Sequence, residues 1–259
     1  MTMQNVKRVA TGIPGLDAML NGGFLPRTAN LVEGAPGTGK STLGMQYIYE
    51  GARRDEPGII LTFEEFPEQY YRDAEAFGWD FRALERQNKL KIIMSSPEVT
   101  KADLENVEGT IQNLIAEMGA QRMLIDSITH FEGLHQDPVK LRKLMYGYLN
   151  ALKRQDLTLI LTRESTHLFG EGLEGQLDAS IQFLADTYIM LRYVEIESTV
   201  QRAIVVLKMR GSAHDSTIRQ FEINAQGLKV LQAFEGQEGV LSGSPKRMSE
   251  SFMKAFVRR

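Results

Sequence analysis

Eight consecutive residues, Gly34-Ala35-Pro36-Gly37-Thr38-Gly39-Lys40-Ser41, carry the densest chemistry in this chain. They complete the pattern G-x-x-x-x-G-K-[S/T]. Its glycines let the backbone wrap so that successive N–H groups point inward at phosphate oxygens. A helix that starts at the end of such a loop adds unpaired N–H groups and the positive end of its dipole, and Thr42 would sit in that first turn. The Lys40 ammonium would reach the β- and γ-phosphates, and the Ser41 hydroxyl would ligate Mg²⁺. The spacing therefore predicts a nucleoside triphosphate site with a magnesium ion.

Such a site also needs a carboxylate to orient the metal, and a group to position or deprotonate the attacking water. Asp126, at the end of the apolar run Met123-Leu124-Ile125, suits the first task, acting through water because Mg²⁺ keeps much of its hydration. An aspartate there also serves as a turn or cap residue. Glu64-Glu65 follow the run GIILTF (58–63), where ligand sites of α/β sheets gather. Adjacent carboxylates at a strand end face opposite ways, so one of them can face a γ-phosphate. A solvated acidic turn would have the same spacing.

The elements that must position these groups can be read from hydrophobic texture. Residues 28–33, 58–63, 90–94, 122–126 and 157–162 are short, nearly continuous apolar runs, as expected for parallel strands buried on both faces. Helical patterns alternate with them. Leu104, Val107, Ile111, Leu114, Ile115 and Met118 share one face, as do Leu141, Leu144, Met145, Tyr148 and Leu152. Asp137-Pro138 supplies an N-cap and a first-turn proline for the second helix. From Thr187 onward, runs at 187–194, 202–209, 219–223 and 228–231 with short loops predict antiparallel hairpins added to the sheet. The reading is one domain over residues 1–235, followed by a mobile or partner-bound tail over 236–259 that carries Lys246, Arg247, Lys254, Arg258 and Arg259.

Composition narrows the function classes. The 259 residues include 42% hydrophobic and 24% charged positions, which argues against a disordered chain or a coiled-coil rod. With 30 Lys+Arg against 33 Asp+Glu and a net charge of −3, no global field draws the chain to nucleic acid or membrane. Zero cysteines exclude thiolate catalysis, disulfides and Cys-ligated zinc, and fit a cytoplasmic protein. The four histidines, His130, His135, His167 and His214, lack zinc-ligand spacing. No stretch approaches the roughly 20 apolar residues of a membrane span, and none near the N-terminus resembles a signal peptide. Ser127 and His130 beside Asp126 lack the G-x-S-x-G elbow of a hydrolase.

Beyond these readings, the sequence resembles the RecA-like ATPases of the KaiC family. The resemblance is carried by TGIPGLDAMLNGGF (11–24), the phosphate loop, FEE (63–65), AFGWDF (76–81), ERQNKLKI (85–92), IDS (125–127), YVEI (193–196), LKMRGSAHD (207–215) and SGSPKR (242–247). It implies an α/β fold of the RecA-like P-loop NTPase type: a mostly parallel sheet flanked by helices, with antiparallel strands added at the C-terminal side. It further implies ATP and Mg²⁺ as cofactors, Glu64 and Glu65 as the catalytic pair, and Glu64 with Ser41 and Asp126 around the metal. The expected assembly is a ring of identical chains, a hexamer. In it Lys208, Met209, Arg210, Ser212 and His214 touch the ATP of a neighbouring subunit, and Phe77 lies against the adenine. Physically, Lys208 and Arg210 lie two apart on a strand and project from one face, as a pair delivered to a neighbour's phosphates should. A basic pair solvated at a sheet edge is the plainer alternative.

One departure from the family pattern bears on activity. Where the second ATPase domain of that family carries adjacent Ser and Thr phosphorylation sites, this chain has Gln182 and Phe183, and Ser180 is the nearest hydroxyl. Only one ATPase domain is expected here. The leading expectation is slow ATP hydrolysis at subunit interfaces, used as a conformational signal, with a signalling partner meeting the C-terminal tail. The alternatives are a DNA recombination or repair accessory, which the lack of a basic field disfavours, and a serine/threonine autokinase, which the loss of both hydroxyls disfavours.

Overall fold

The computed structural model describes residues 7–105, 109–135, 137–165, 179–234, 237–241 and 246–247. Nine strands form one sheet: β1 Ala29–Gly34, β2 Gly58–Thr62, β3 Leu90–Met94, β4 Arg122–Asp126, β5 Thr158–Glu164, β6 Thr187–Ile196, β7 Thr199–Met209, β8 Arg219–Asn224 and β9 Gly227–Ala233. Their spatial order is β3-β2-β4-β5-β1-β6-β7-β8-β9. The first six run parallel, and β7, β8 and β9 continue antiparallel. The helices are α1 Leu16–Met19, α2 Lys40–Arg53, α3 Pro67–Ala76, α4 Phe81–Arg86, α5 Pro97–Glu105, α6 Thr110–Met118, α7 Pro138–Arg154 and α8 Ala179–Leu184. A 3₁₀ segment, Ile128–Leu134, follows β4.

Alternation along the strands explains the two layers. Val32, Ile60, Leu124 and Ile160 face the core under α2, α3 and α4, which holds Leu43, Tyr47, Tyr70 and Trp79. Leu31, Ile59, Leu61, Met123, Ile125, Leu159 and Leu161 face the opposite core, with Ile115, Met145, Leu149 and Leu152 from α6 and α7. Both faces are covered, so the strands read as unbroken apolar runs. Asp137 caps α7 by accepting the Val139 N–H at 2.9 Å.

Two expectations meet a different structure. The apolar face expected over 104–118 is divided: α5 ends at Glu105 and α6 begins at Thr110. The Asp103 carboxylate accepts the N–H groups of Thr110 at 2.6 Å and Ile111 at 2.9 Å, satisfying the start of a new helix. Val107 lies outside the described residues. The segment expected as a tail begins docked: Val240 is buried against Val194, Ile196 and Ala203, and Gln237–Glu238 pair with Lys246–Arg247. Residues 248–259 lie outside the described set. Among the described residues, no helix is long and apolar enough to cross a membrane.

Candidate functional site

Sheet register gathers the predicted chemistry at one edge. Gly34 pairs with Glu164, and Thr62 pairs with Asp126, all at the C-terminal ends of their strands. From Gly34 the chain enters the loop that ends at the start of α2. Gly37 and Gly39 have φ of +76° and +105°, which only glycine adopts at little cost. A Cβ on Gly39 would stand 2.6 Å from Ile223 Cδ1, and one on Gly37 would stand 2.9 Å from the Tyr193 hydroxyl. Thr38 is fully buried and its hydroxyl turns inward, donating to the Ala35 carbonyl at 2.7 Å. Ala35, Pro36 and the N-terminal Ser41 and Thr42 complete the loop and first turn.

Lys40 is buried, and its ammonium donates to the Ala35 carbonyl at 3.2 Å. Burial lowers its pKa from the ordinary lysine value, opposed by the carboxylates of Glu164 and Asp126. These two acids are therefore the charges that face the phosphate-loop lysine. Asp126 is held from both sides: Tyr70 donates its hydroxyl to Oδ2 at 2.7 Å, and the Thr162 hydroxyl donates to Oδ1. Burial, then the Asp126 charge, raises the Tyr70 hydroxyl pKa. The Asp126–Ser127 peptide bond is cis.

The glutamate pair divides as adjacent strand-end residues should. Glu65 is partly buried, and its N–H donates to the Thr62 hydroxyl at 3.2 Å, while that hydroxyl donates back to the Glu65 carbonyl at 3.0 Å. The turn is thereby pinned. Burial raises the Glu65 pKa, and the charges of Asp126, Asp73 and Glu64 add to the effect. Glu64 instead has a 70% exposed side chain and meets His130 Nε2 at 3.5 Å. Of the pair, Glu65 is the half-buried member on which the Asp126 charge acts, whereas Glu64 turns to His130.

A magnesium ion fits this donor set. Ser41 offers a hydroxyl at the helix start, and each Asp126 oxygen accepts one hydroxyl and keeps a second lone pair for a metal-bound water. Among the described residues no cluster of three or more His, Asp or Glu could grip an ion alone.

The second group of expected residues lies elsewhere. Met209 pairs with Thr187, which pairs with Asn30, whereas Gly34 lies level with Leu191 and Ile204. Four residues of β1, roughly 13 Å, separate these levels. Lys208 and Arg210 therefore stand at the opposite end of the sheet from their own phosphate loop. Both reach the same helix end: Lys208 Nζ donates to the Gln182 carbonyl at 2.9 Å, and Arg210 Nη2 to the Phe183 carbonyl at 2.6 Å. Burial and the Arg210 charge lower the Lys208 pKa, opposed by Asp186. The Met209 side chain packs into the core. Ser212 accepts from Arg8 at 2.7 Å, and Asp215, one residue beyond His214, donates its N–H to the Met19 carbonyl at 2.8 Å.

Phe77 is not brought to the loop of its own chain. It ends α3, stacks near Trp79 at 4.7 Å, and lines a groove with Tyr49, Glu50 and Arg53 from the last turns of α2. The α2 residues lining that groove begin at Gln46, six residues or roughly 9 Å along the helix from Lys40. Sequence reasoning did not anticipate Tyr70 or Tyr193 as neighbours of the site. Tyr70 lies on a helix whose pattern reads as core. Tyr193 belongs to YVEI, which marks the place without giving the contact.

Comparison with known proteins agrees with the geometry. The KaiC ATPase family model matches residues 9–235. The chain is 36% identical over 256 residues to the circadian clock oscillator protein KaiC of Nostoc sp., covering 97% of this chain and 48% of that protein. It is 35% identical over 243 residues to the protein of the same name from Synechococcus elongatus, covering 93% and 46%. To the circadian clock protein KaiC3 of Synechocystis sp. it is 34% identical over 244 residues, covering 94% and 47%. The chain spans about half the length of the curated relatives it matches.

Proposed function

The chain belongs to the KaiC ATPase family, and on that premise we propose that it binds Mg-ATP and hydrolyses it slowly at interfaces between identical chains of a ring. Its output is then a change in ring conformation read by a signalling partner. The observation that carries the reading is the separation just described: a complete phosphate site at one edge of the sheet, and a cation pair at the other. Lys208 and Arg210 cannot serve the loop of their own chain, but a head-to-tail neighbour would bring them to it. Heterologous contacts of that kind close into rings when the rotation between neighbours closes.

The surfaces at both ends support the same arrangement. Around Arg210, the apolar side chains of Val139, Tyr146 and Phe183 are exposed, with Arg142 and Lys143 among them. At the phosphate-loop edge, Phe66, Met94 and Val99 are exposed beside Glu68 and Glu98. A cationic apolar patch facing an acidic apolar one fits a head-to-tail contact between two different surfaces of the same chain.

Each group then has a task. The loop N–H groups and Lys40 bind the β- and γ-phosphates. Bound magnesium would neutralise charge on those phosphates, with Ser41 and Asp126 holding it and its water. Glu65, whose raised pKa makes it a better proton acceptor than an ordinary glutamate, orients and deprotonates the attacking water, with Glu64 beside it. Arg210 and Lys208 of the neighbour stabilise charge that develops on the transferred phosphoryl group.

Replacing Glu64 and Glu65 together by Gln tests the water-activating role. ATP affinity in calorimetry and assembly by native mass should stay unchanged while turnover drops by about 10² or more. Turnover at the native rate would place the base elsewhere.

A further inference from the structure

The end of α8 that receives Lys208 and Arg210 is itself fastened to the strand that carries the phosphate loop. Gln182 Nε2 donates to Glu33 Oε2 at 3.1 Å, and Arg163 Nη1 donates to the same oxygen at 3.1 Å. Glu33 and Arg163 are both buried, and Arg163 Nε also donates to Glu132 at 3.0 Å. Glu33 immediately precedes Gly34, the first residue of the loop, and Arg163 immediately precedes Glu164, one of the two acids facing Lys40. The Tyr188 hydroxyl, at 3.2 Å from Gln182 Nε2, closes the cluster, and Tyr188 is the cross-strand partner of Lys208.

We propose that Gln182 is a positioning residue that links successive ATP sites, holding the Lys208 and Arg210 offered to the next chain in register with the strand carrying its own phosphate loop. The proposal rests on Arg210 acting in a neighbouring chain. Its physical basis is a continuous run of hydrogen bonds that starts at buried Glu33 and passes through the partly buried Gln182 and Lys208, where a lost partner is costly. The run goes from Glu33 through the Gln182 side chain, and from the Gln182 carbonyl to Lys208. Displacing Glu33 when nucleotide fills the loop would shift the end of α8, and with it both cations. Gln182→Glu reverses the contact, because two carboxylates would then face each other across it.

The test uses mixed rings. Arg210→Ala chains keep an intact phosphate loop, and Lys40→Ala chains keep intact cations, so together they should hydrolyse ATP. The decisive arm replaces the second partner by Lys40→Ala/Gln182→Glu chains, whose own loop is already inactive. Turnover should then fall about tenfold, although native mass shows the same rings. Adding Glu33→Gln to that chain exchanges donor and acceptor, and should recover most of the loss. Unchanged turnover with the Gln182→Glu partner overturns the proposal, as does a loss that the exchanged pair fails to recover. If plain Lys40→Ala partners give no turnover, the reading of Arg210 in a neighbouring chain fails, and this proposal with it. Success there without any effect of Gln182→Glu overturns this proposal alone.

Discussion

At Glu65 burial works against the charged form, and the carboxylates of Asp126, Asp73 and Glu64 add to it, so the group holds its proton above the ordinary glutamate value of 4.5. The sign of the linkage follows. A carboxyl whose folded pKa is raised contributes stability that is full below the unfolded value and is lost as pH rises through the folded one. Glu65→Gln should therefore raise the thermal midpoint of the nucleotide-free protein at neutral pH, and the gap should close as pH drops below 4.5. A lower midpoint at neutral pH, or a gap that widens in acid, would contradict this account of the turn. At this scale the sequence was legible where one segment carries the chemistry, as in the phosphate loop and at Asp126. It was not legible where two distant segments make the contact. Nothing near Tyr70 in sequence points to Asp126, 56 residues away, yet they meet at 2.7 Å.

The loop works as an element only because neighbouring strands close over it. Gly39 combines φ of +105° with a Cβ position 2.6 Å from Ile223 Cδ1 of β8. Gly39→Ala thus adds backbone strain of about 1–3 kcal/mol to a side-chain clash. ATP affinity measured by calorimetry should weaken about tenfold or more. The double variant Gly39→Ala/Ile223→Ala removes the clash and should recover only part of the affinity, because the strain remains. Full recovery would show that packing alone demands the glycine. Strand positions were readable within three residues, β7 starting earliest against expectation at Thr199, because burial on both faces leaves an unbroken apolar run. The break between α5 and α6 was not, since one apolar face continues across it and the decision falls to the Asp103 carboxylate. The placement of Phe77 was likewise hidden: it depends on α3 running away from the loop edge, which periodicity does not encode.

Over the whole molecule, the two halves of the proposed chemistry stand at opposite ends of one sheet. The motif around Lys208 and Arg210 was visible in sequence, but the register that separates it from Lys40 needed the order of strands. On the proposed reading, that separation would make hydrolysis a property of assembled chains. The most direct measurement mixes Arg210→Ala with Lys40→Ala chains at varied ratio and follows ATP turnover. Each variant alone should be nearly inactive. In a head-to-tail ring assembled at random, about one interface in four pairs an intact loop with an intact neighbouring Arg210 at equal mixing. Turnover should therefore rise from near zero to a maximum at equal proportions and fall again on either side. Flat, near-zero turnover across all ratios, with mixed rings present by native mass, would show that Arg210 does not act on a neighbour's ATP.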